Sequence, residues 1–363
     1  MKNTVLFFLI ALILSLILLA CNSENSDVVY NFNKFPEEVT LQGKNTKLND
    51  SINIAPSEAV KTDSFIFVLP RQGDYPVHIF NRNDFSYIKA AGKIGKGPGE
   101  INQGDEIFIN RKNDELWIND IGKGKLAQFP IDSILKKSNY FFQKTKEIPM
   151  DVHASGKGHF LDDSTLIINL THKDGIFFVH RNEKIIDTIG KVPGKKEKFE
   201  NERYYLANYF IKGGYIPSKR RAVAAYHQYD IIELYDITTG KKIRKIIGPD
   251  NIEPVLTSGG IVNTSKSLGA YYKLKTDNKY IYLSYLGEKI LKKSDDSEYG
   301  VKAAYPSQIH VHDLNGKPVM KIELDREFKT FLIDRKKEQI ITLGAERDPE
   351  DGLFRIYDYP EEL

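Results

Sequence analysis

Ile94-Gly95-Lys96-Gly97-Pro98-Gly99 returns later in the chain as Ile189-Gly190-Lys191-Val192-Pro193-Gly194, and a third time, shortened, as Ile247-Gly248-Pro249. Each copy follows a short apolar run carrying charge: Tyr87-Ile88-Lys89, Ile185-Ile186-Asp187 and Ile243-Arg244-Lys245-Ile246. Glycine and proline there permit a sharp change of direction. The copies therefore read as equivalent crossovers from the end of one sheet to the start of the next, and Gly95, Gly97, Pro98, Gly99, Gly190, Pro193, Gly194, Gly248 and Pro249 are expected to be structural. A phosphate-cradling loop is the other reading of Gly95 to Gly99. No Lys-Ser/Thr and helix follow it, so neither the P-loop nor the dinucleotide fingerprint is met.

Between the crossovers, short runs of Ile, Val, Phe, Tyr and Leu alternate with Gly, Asn, Asp and Lys turns, and they come in pairs. The pairs are 64–68 with 77–80, 115–118 with 126–129, 165–168 with 176–179, 222–225 with 231–235, 280–283 with 309–312, and 339–342 with 354–357. The polar residues ahead of the first runs, Asp63, Asp114, Asp163, Lys219, Asp277 and Lys336, are spaced by 51, 49, 56, 58 and 59 residues. A period near fifty with paired strands predicts propeller blades. The expected fold is all-β: a six-bladed β-propeller of four-stranded antiparallel blades over residues 35–363, with Glu38 to Gln42 closing the ring as outermost strand of the last blade. A pair of β-sandwiches or a solenoid fits less well, because sandwiches do not usually repeat a loop at blade spacing. Stretches 133–149, 196–212 and 250–272 read as inserted loops between blades, with a helical turn over Asn201 to Asn208.

The chain has 363 residues, with 52 Lys plus Arg against 49 Asp plus Glu, so nothing in its charge points to nucleic acid. With 41% hydrophobic and 11% aromatic residues it can build a core. Its single cysteine excludes a disulfide framework and a multi-cysteine zinc site. That cysteine, Cys21, follows Leu18-Leu19-Ala20 at the end of an apolar run from Val5, a run short for a membrane span and typical of a secretory signal. The ending resembles a bacterial lipobox. Residues 1–20 are thus expected to be a lipoprotein signal peptide, Cys21 the lipidated first residue of the mature chain, and 21–34 a flexible tether. Position 22 is not Asp, so inner-membrane retention is not signalled, and the expected location is the outer membrane, facing either the periplasm or the surface.

No HExxH, EF-hand loop or GxSxG elbow occurs. His310 and His312 share one face of a strand but lack a third ligand, so they are expected on the surface of an outer strand; no metal, cofactor or catalytic residue is assigned. Propellers usually bind where the channel meets the turns joining second to third strands. Those turns nominate Asp120, Lys123, His172, Tyr226, His227, Tyr229, Tyr285 and Arg347, together with Lys125, Lys173, Gln228, Lys289, Glu346 and Asp348. Mixed charge with tyrosine suits a peptide, protein or sugar ligand.

Five further stretches carry a resemblance: Gly95 to Glu100, Ala225-Tyr226 through Asp230 to Asp236, Ile247 to Asp250, Asp277 to Tyr282, and His312 to Val319. Together they resemble the TolB-like six-bladed β-propeller lipoproteins of Bacteroidota. The resemblance implies a fold and an envelope location and carries over no catalytic residue; fold does not fix function. The expected function is a noncatalytic binding or scaffold module for a protein or glycan partner, held to the membrane by its lipid. The alternative is a propeller enzyme, a glycan lyase, hydrolase or lactonase, with a site at the channel mouth. Oligomeric state is left open.

Overall fold

The computed structural model describes residues 29–46, 54–137, 139–147, 156–182, 184–194, 199–294, 300–344, 352–361 and 363. All six sequence pairs form antiparallel ladders, in registers such as Ile66 opposite Phe80, Ile118 opposite Ala127, Val223 opposite Leu234 and Ile341 opposite Ile356. They are the second and third strands of six blades, and each gains an inner and an outer neighbour.

Blade one runs Pro56–Lys61, Phe65–Pro70, Val77–Asn81, Tyr87–Ala91, and blade two Gly104–Asn110, Glu115–Asp120, Lys125–Pro130, Thr145–Glu147. Blade three is Gly158–Phe160, Thr165–His172, Gly175–Arg181, Lys184–Ile189, and blade four Ile211–Ile216, Arg221–Tyr226, Ile231–Asp236, Lys242–Ile247. Blade five takes Tyr271–Thr276, Tyr280–Tyr285, Gln308–Asp313 and Pro318–Leu324, and blade six Phe328–Asp334, Gln339–Gly344, Phe354–Asp358 and Lys44–Asn45.

The core lies between blades. Blade faces pack on each other, so a middle strand such as Phe65–Pro70 is buried along almost its whole length and reads as a continuous apolar run. Six buried clusters fill the six interfaces: Phe67, Ile79 and Phe129 join blades one and two, for example, while Ile66, Phe80, Ile341 and Phe354 join one and six.

The N-terminal segment departs from expectation. Glu37–Leu41 is a fifth strand of blade five, parallel to Pro318–Leu324, and the outer strand of blade six is only Lys44–Asn45, antiparallel to Phe354–Asp358. Val39 and Leu41 pack on the cluster between blades five and six, which fixes them there. Within 21–34, Val29–Asn31 is already a strand, parallel to Lys242–Ile247 of blade four, and Phe32 is buried. Residues 29–45 thus strap the outer edges of blades four, five and six, hiding strand edges that would otherwise be open to pairing. Residues 21–28, Cys21 included, lie outside the described residues.

Of the three inserted stretches, the first lies within blade two, between its third and fourth strands, and begins in a short helix, Ile131–Lys136. The other two connect blades. The helical turn is Glu202–Asn208, capped by the Asn201 side chain, which accepts from the Tyr204 N–H at 3.0 Å.

Candidate functional site

Inner strands begin at the end of the molecule where the crossovers and the second-to-third turns gather. In four blades a β-bulge interrupts the inner strand at that end, between Pro56 and Glu58, Gly104 and Glu106, Tyr271 and Lys273, and Phe328 and Thr330. A bulge re-aims the following side chain. Here the re-aimed residues are Glu58, Glu106, Lys273 and Thr330; blades three and four contribute Lys157 and Lys212. Glu58, Glu106, Lys157, Lys212 and Lys273, with Asn169, Gly213 and Leu274, line one narrow cleft that opens to solvent at the channel mouth.

The side chains meet across the axis. Lys275 of blade five donates to Glu58 Oε1 of blade one at 2.6 Å, Thr330 Oγ1 of blade six donates to the same oxygen at 2.6 Å, and Lys273 Nζ lies 3.1 Å from Glu58 Oε2. The Ala59 N–H adds a bond of 2.8 Å. Glu106 Oε1 stands 3.8 Å from Lys273 and 3.6 Å from Lys212. Burial alone would raise the Glu58 carboxyl, but Lys273, Lys275 and Lys157 outweigh it and hold it well below the usual range. Burial pushes Lys275 down to about 8 despite Glu58, and it lowers Lys212, helped by Lys273. The ring can hold charge in a place shielded from water; among the described residues no three His, Cys, Asp or Glu side chains come together as metal ligands.

Sequence reasoning missed this ring. Its members lie five to nine residues ahead of each second strand, on inner strands too short or too polar to register as apolar runs. Tyr271-Tyr272-Lys273-Leu274-Lys275, with lysines two apart before a strong strand, was the available signal.

Most nominated turn residues serve the fold. Asp120 is buried and accepts from the Asn102 and Gln103 N–H groups, both at 2.9 Å, and Lys123 donates to the carbonyls of Gly97 at 2.8 Å and Glu100 at 2.7 Å. The turn of blade two therefore clamps the Gly95 to Gly99 crossover. Lys123→Ala is expected to cost about 2 kcal/mol and to speed amide exchange over residues 95–101 in a hydrogen-exchange experiment.

Tyr226 and Tyr285, expected on the rim, are buried instead. Tyr226 donates to Glu233 at 2.7 Å between blades three and four, and Tyr285 donates to Asp250 at 2.6 Å. His172 is buried, with the Asp174 N–H at 3.2 Å from its Nδ1; half-buried Tyr229 stacks on Tyr209 at 4.8 Å; half-buried His227 packs against Tyr272. Arg347 lies outside the described residues, as do Glu346 and Asp348. Gly248 and Pro249 lead out of blade four, with Gly248 pressed so closely on the Asp230 carboxylate that a Cβ would collide with it. His310 and His312, expected on the surface, are buried on the third strand of blade five beneath Phe35 and Phe32 of the strap.

A family profile described as TolB-like 6-blade propeller-like matches residues 33–336. Among solved structures, a Bacteroides fragilis protein inferred to be exported is similar at 13% identity and a TM-score of 0.56, over 91% of this chain and 98% of that one. A member of the DUF4221 family from Bacteroides vulgatus is similar at 10% identity and a TM-score of 0.56, over 90% and 98%. At these identities the likeness is one of fold. No functionally curated protein matches the sequence.

Proposed function

The chain belongs to the TolB-like six-blade propeller family, and we propose that it is a lipid-anchored, noncatalytic binding module of the cell envelope that takes a protein or glycan partner at the charged channel mouth. The mouth itself carries this reading. Burying Glu58, Glu106 and the lysines around them costs more than closing the channel with apolar side chains, because ion pairs out of water seldom recover their desolvation. Ring closure rests on the interblade clusters and needs none of these charges. Buried ionisable groups gathered in a cleft are characteristic of sites. The lipid anchor rests on Leu18-Leu19-Ala20-Cys21, and the inferred export of the Bacteroides fragilis relative agrees with an envelope location.

Two measurements test the reading. Protein made in cells is expected to partition into detergent, and Cys21→Ala to abolish that. Crosslinked in native envelopes, the lipidated protein is expected to capture a defined partner that is lost with Lys157→Met and kept with Lys112→Met, a change on the opposite end of blade two. Partition without Cys21, a partner indifferent to Lys157, or turnover of a glycan by the purified protein would each overturn it.

A further inference from the structure

We propose that the channel mouth receives one singly charged carboxylate head group, held between Lys157 and Lys212, an assignment that rests on the binding reading above. The ring's own acceptors and donors do not balance. Glu58 is fully engaged by Lys275, Lys273, Thr330 and the Ala59 N–H. Lys212 has its nearest carboxylate oxygen, Glu106 Oε1, at 3.6 Å, beyond a good hydrogen bond, and its ammonium lies 4.6 Å over the Phe210 ring. Lys157 has no carboxylate within 4.0 Å among the described residues. An ammonium offers three donors, so both lysines keep donors to spend.

Charge and shape point the same way. Among the described residues Lys157, Lys212, Lys273 and Lys275 face Glu58, Glu106 and nearby Asp105, four cations against three anions, an excess of one positive charge. A carboxylate closes that balance; a doubly charged phosphate overshoots it and must sit beside Glu58 and Glu106. Asn169 on the cavity wall has its carbonyl oxygen occupied by the Lys157 N–H at 2.9 Å, which leaves its amide as the donor end. The space between these side chains takes about one water-sized group before any of them moves, too little for a sugar ring. Lys212 is depressed by burial and by Lys273, and the attraction of an arriving anion opposes both effects.

The test is calorimetric titration of the full mature protein with acetate and with glucuronate, using glucose and inorganic phosphate as comparison ligands. Both acids are expected to bind at one site, glucose not at all, and phosphate more weakly than acetate. Lys157→Met and Lys212→Met are each expected to weaken acetate about tenfold, and Lys212→Arg to retain it. Should Lys212→Met fail to fold, half-exposed Lys157 still decides the matter. Absence of saturable binding by either acid, binding indifferent to Lys157→Met, or phosphate binding as tightly as acetate overturns the assignment. If the acids fail while Lys157→Met still abolishes capture of the envelope partner, the head-group assignment falls and the binding reading stands. If capture is indifferent too, both fall.

Discussion

Lowering the pH from 7 to 5 is expected to remove on the order of 2 kcal/mol of stability through His312, with His310 adding to the loss in the same direction. Both rings are buried on the third strand of blade five, roofed by Phe32 and Phe35, and Tyr271 and Tyr285 flank His310. Burial lowers His312 to about 4 although the Gly316 carbonyl and Asp313 favour its cation, and burial together with His312 and Lys321 takes His310 well below its ordinary value. A histidine that is neutral when folded and ordinary when unfolded leaves the unfolded chain holding more protons between those two values. Stability then falls as pH drops below about 6.5, and continues to fall until the folded value is reached. For a ring moving from about 6.5 to about 4, the loss at pH 5 is about 2 kcal/mol. Urea melts at pH 7, 6 and 5 read this directly. A His310→Gln, His312→Gln double variant, neutral throughout, is expected to show a flatter profile; equal slopes for the two proteins would refute the assignment to this pair. The damage should begin at the strap, because its aromatic residues cover the two rings.

The same burial explains what could be read from sequence and what could not. Strands such as Phe65–Pro70 and Thr165–His172 are packed on both faces, so apolar residues dominate their middles and the runs stand out. Inner strands face the channel. Gly158–Phe160 is three residues long, and Ile211–Ile216 carries a lysine and two glycines, one of which could not take a Cβ without striking Leu274. Such segments lack the pattern by which a strand is recognised, yet they hold the ring of charges. The closing strand Lys44–Asn45 is wholly polar, so the more apolar Glu38 to Gln42 drew the assignment that belongs to it. Tyr226 and Tyr285 show a different loss. Each ends a second strand next to a turn, and alternation along a strand says which face a side chain takes but not how deep the strand end lies. Their hydroxyls bind the buried carboxylate of Glu233 and the exposed one of Asp250, a pairing between distant segments for Tyr285 that no local pattern encodes.

Asp334→Ala is expected to destabilise the protein by about 3–5 kcal/mol. Asp334 ends the inner strand of blade six and receives a two-pronged contact from Arg82, which follows the third strand of blade one; Nε lies 2.5 Å from Oδ2, and Nη2 reaches Oδ1. Arg82 also donates to the Asp63 carbonyl at 2.8 Å, Lys337 donates to the Arg82 carbonyl at 2.9 Å, and Lys61 stands 3.7 Å from Asp334. These residues tie the first blade to the last, the seam where an open arc becomes a ring. With both side chains almost fully buried, removing the carboxylate takes away the guanidinium's two-pronged partner and leaves it the Asp63 carbonyl at 2.8 Å and the Asp63 carboxylate at 3.8 Å. The exposed pair Lys112 and Asp163 has an equally short contact, 2.5 Å, but is screened by solvent, so Asp163→Ala is expected to change stability by less than about 1 kcal/mol. An Arg82→Met, Asp334→Leu double variant should recover most of the loss, because apolar groups leave no charge unpaired. Chemical denaturation at pH 7 compares all three. Burial alone would raise the Asp334 carboxyl, but Arg82 and Lys61 hold it below its usual range, so its contribution persists above about pH 4 and disappears only as pH falls through that lowered value. The seam is therefore intact at pH 5, where the histidines under the strap are already charging, and the two losses separate along a single pH series.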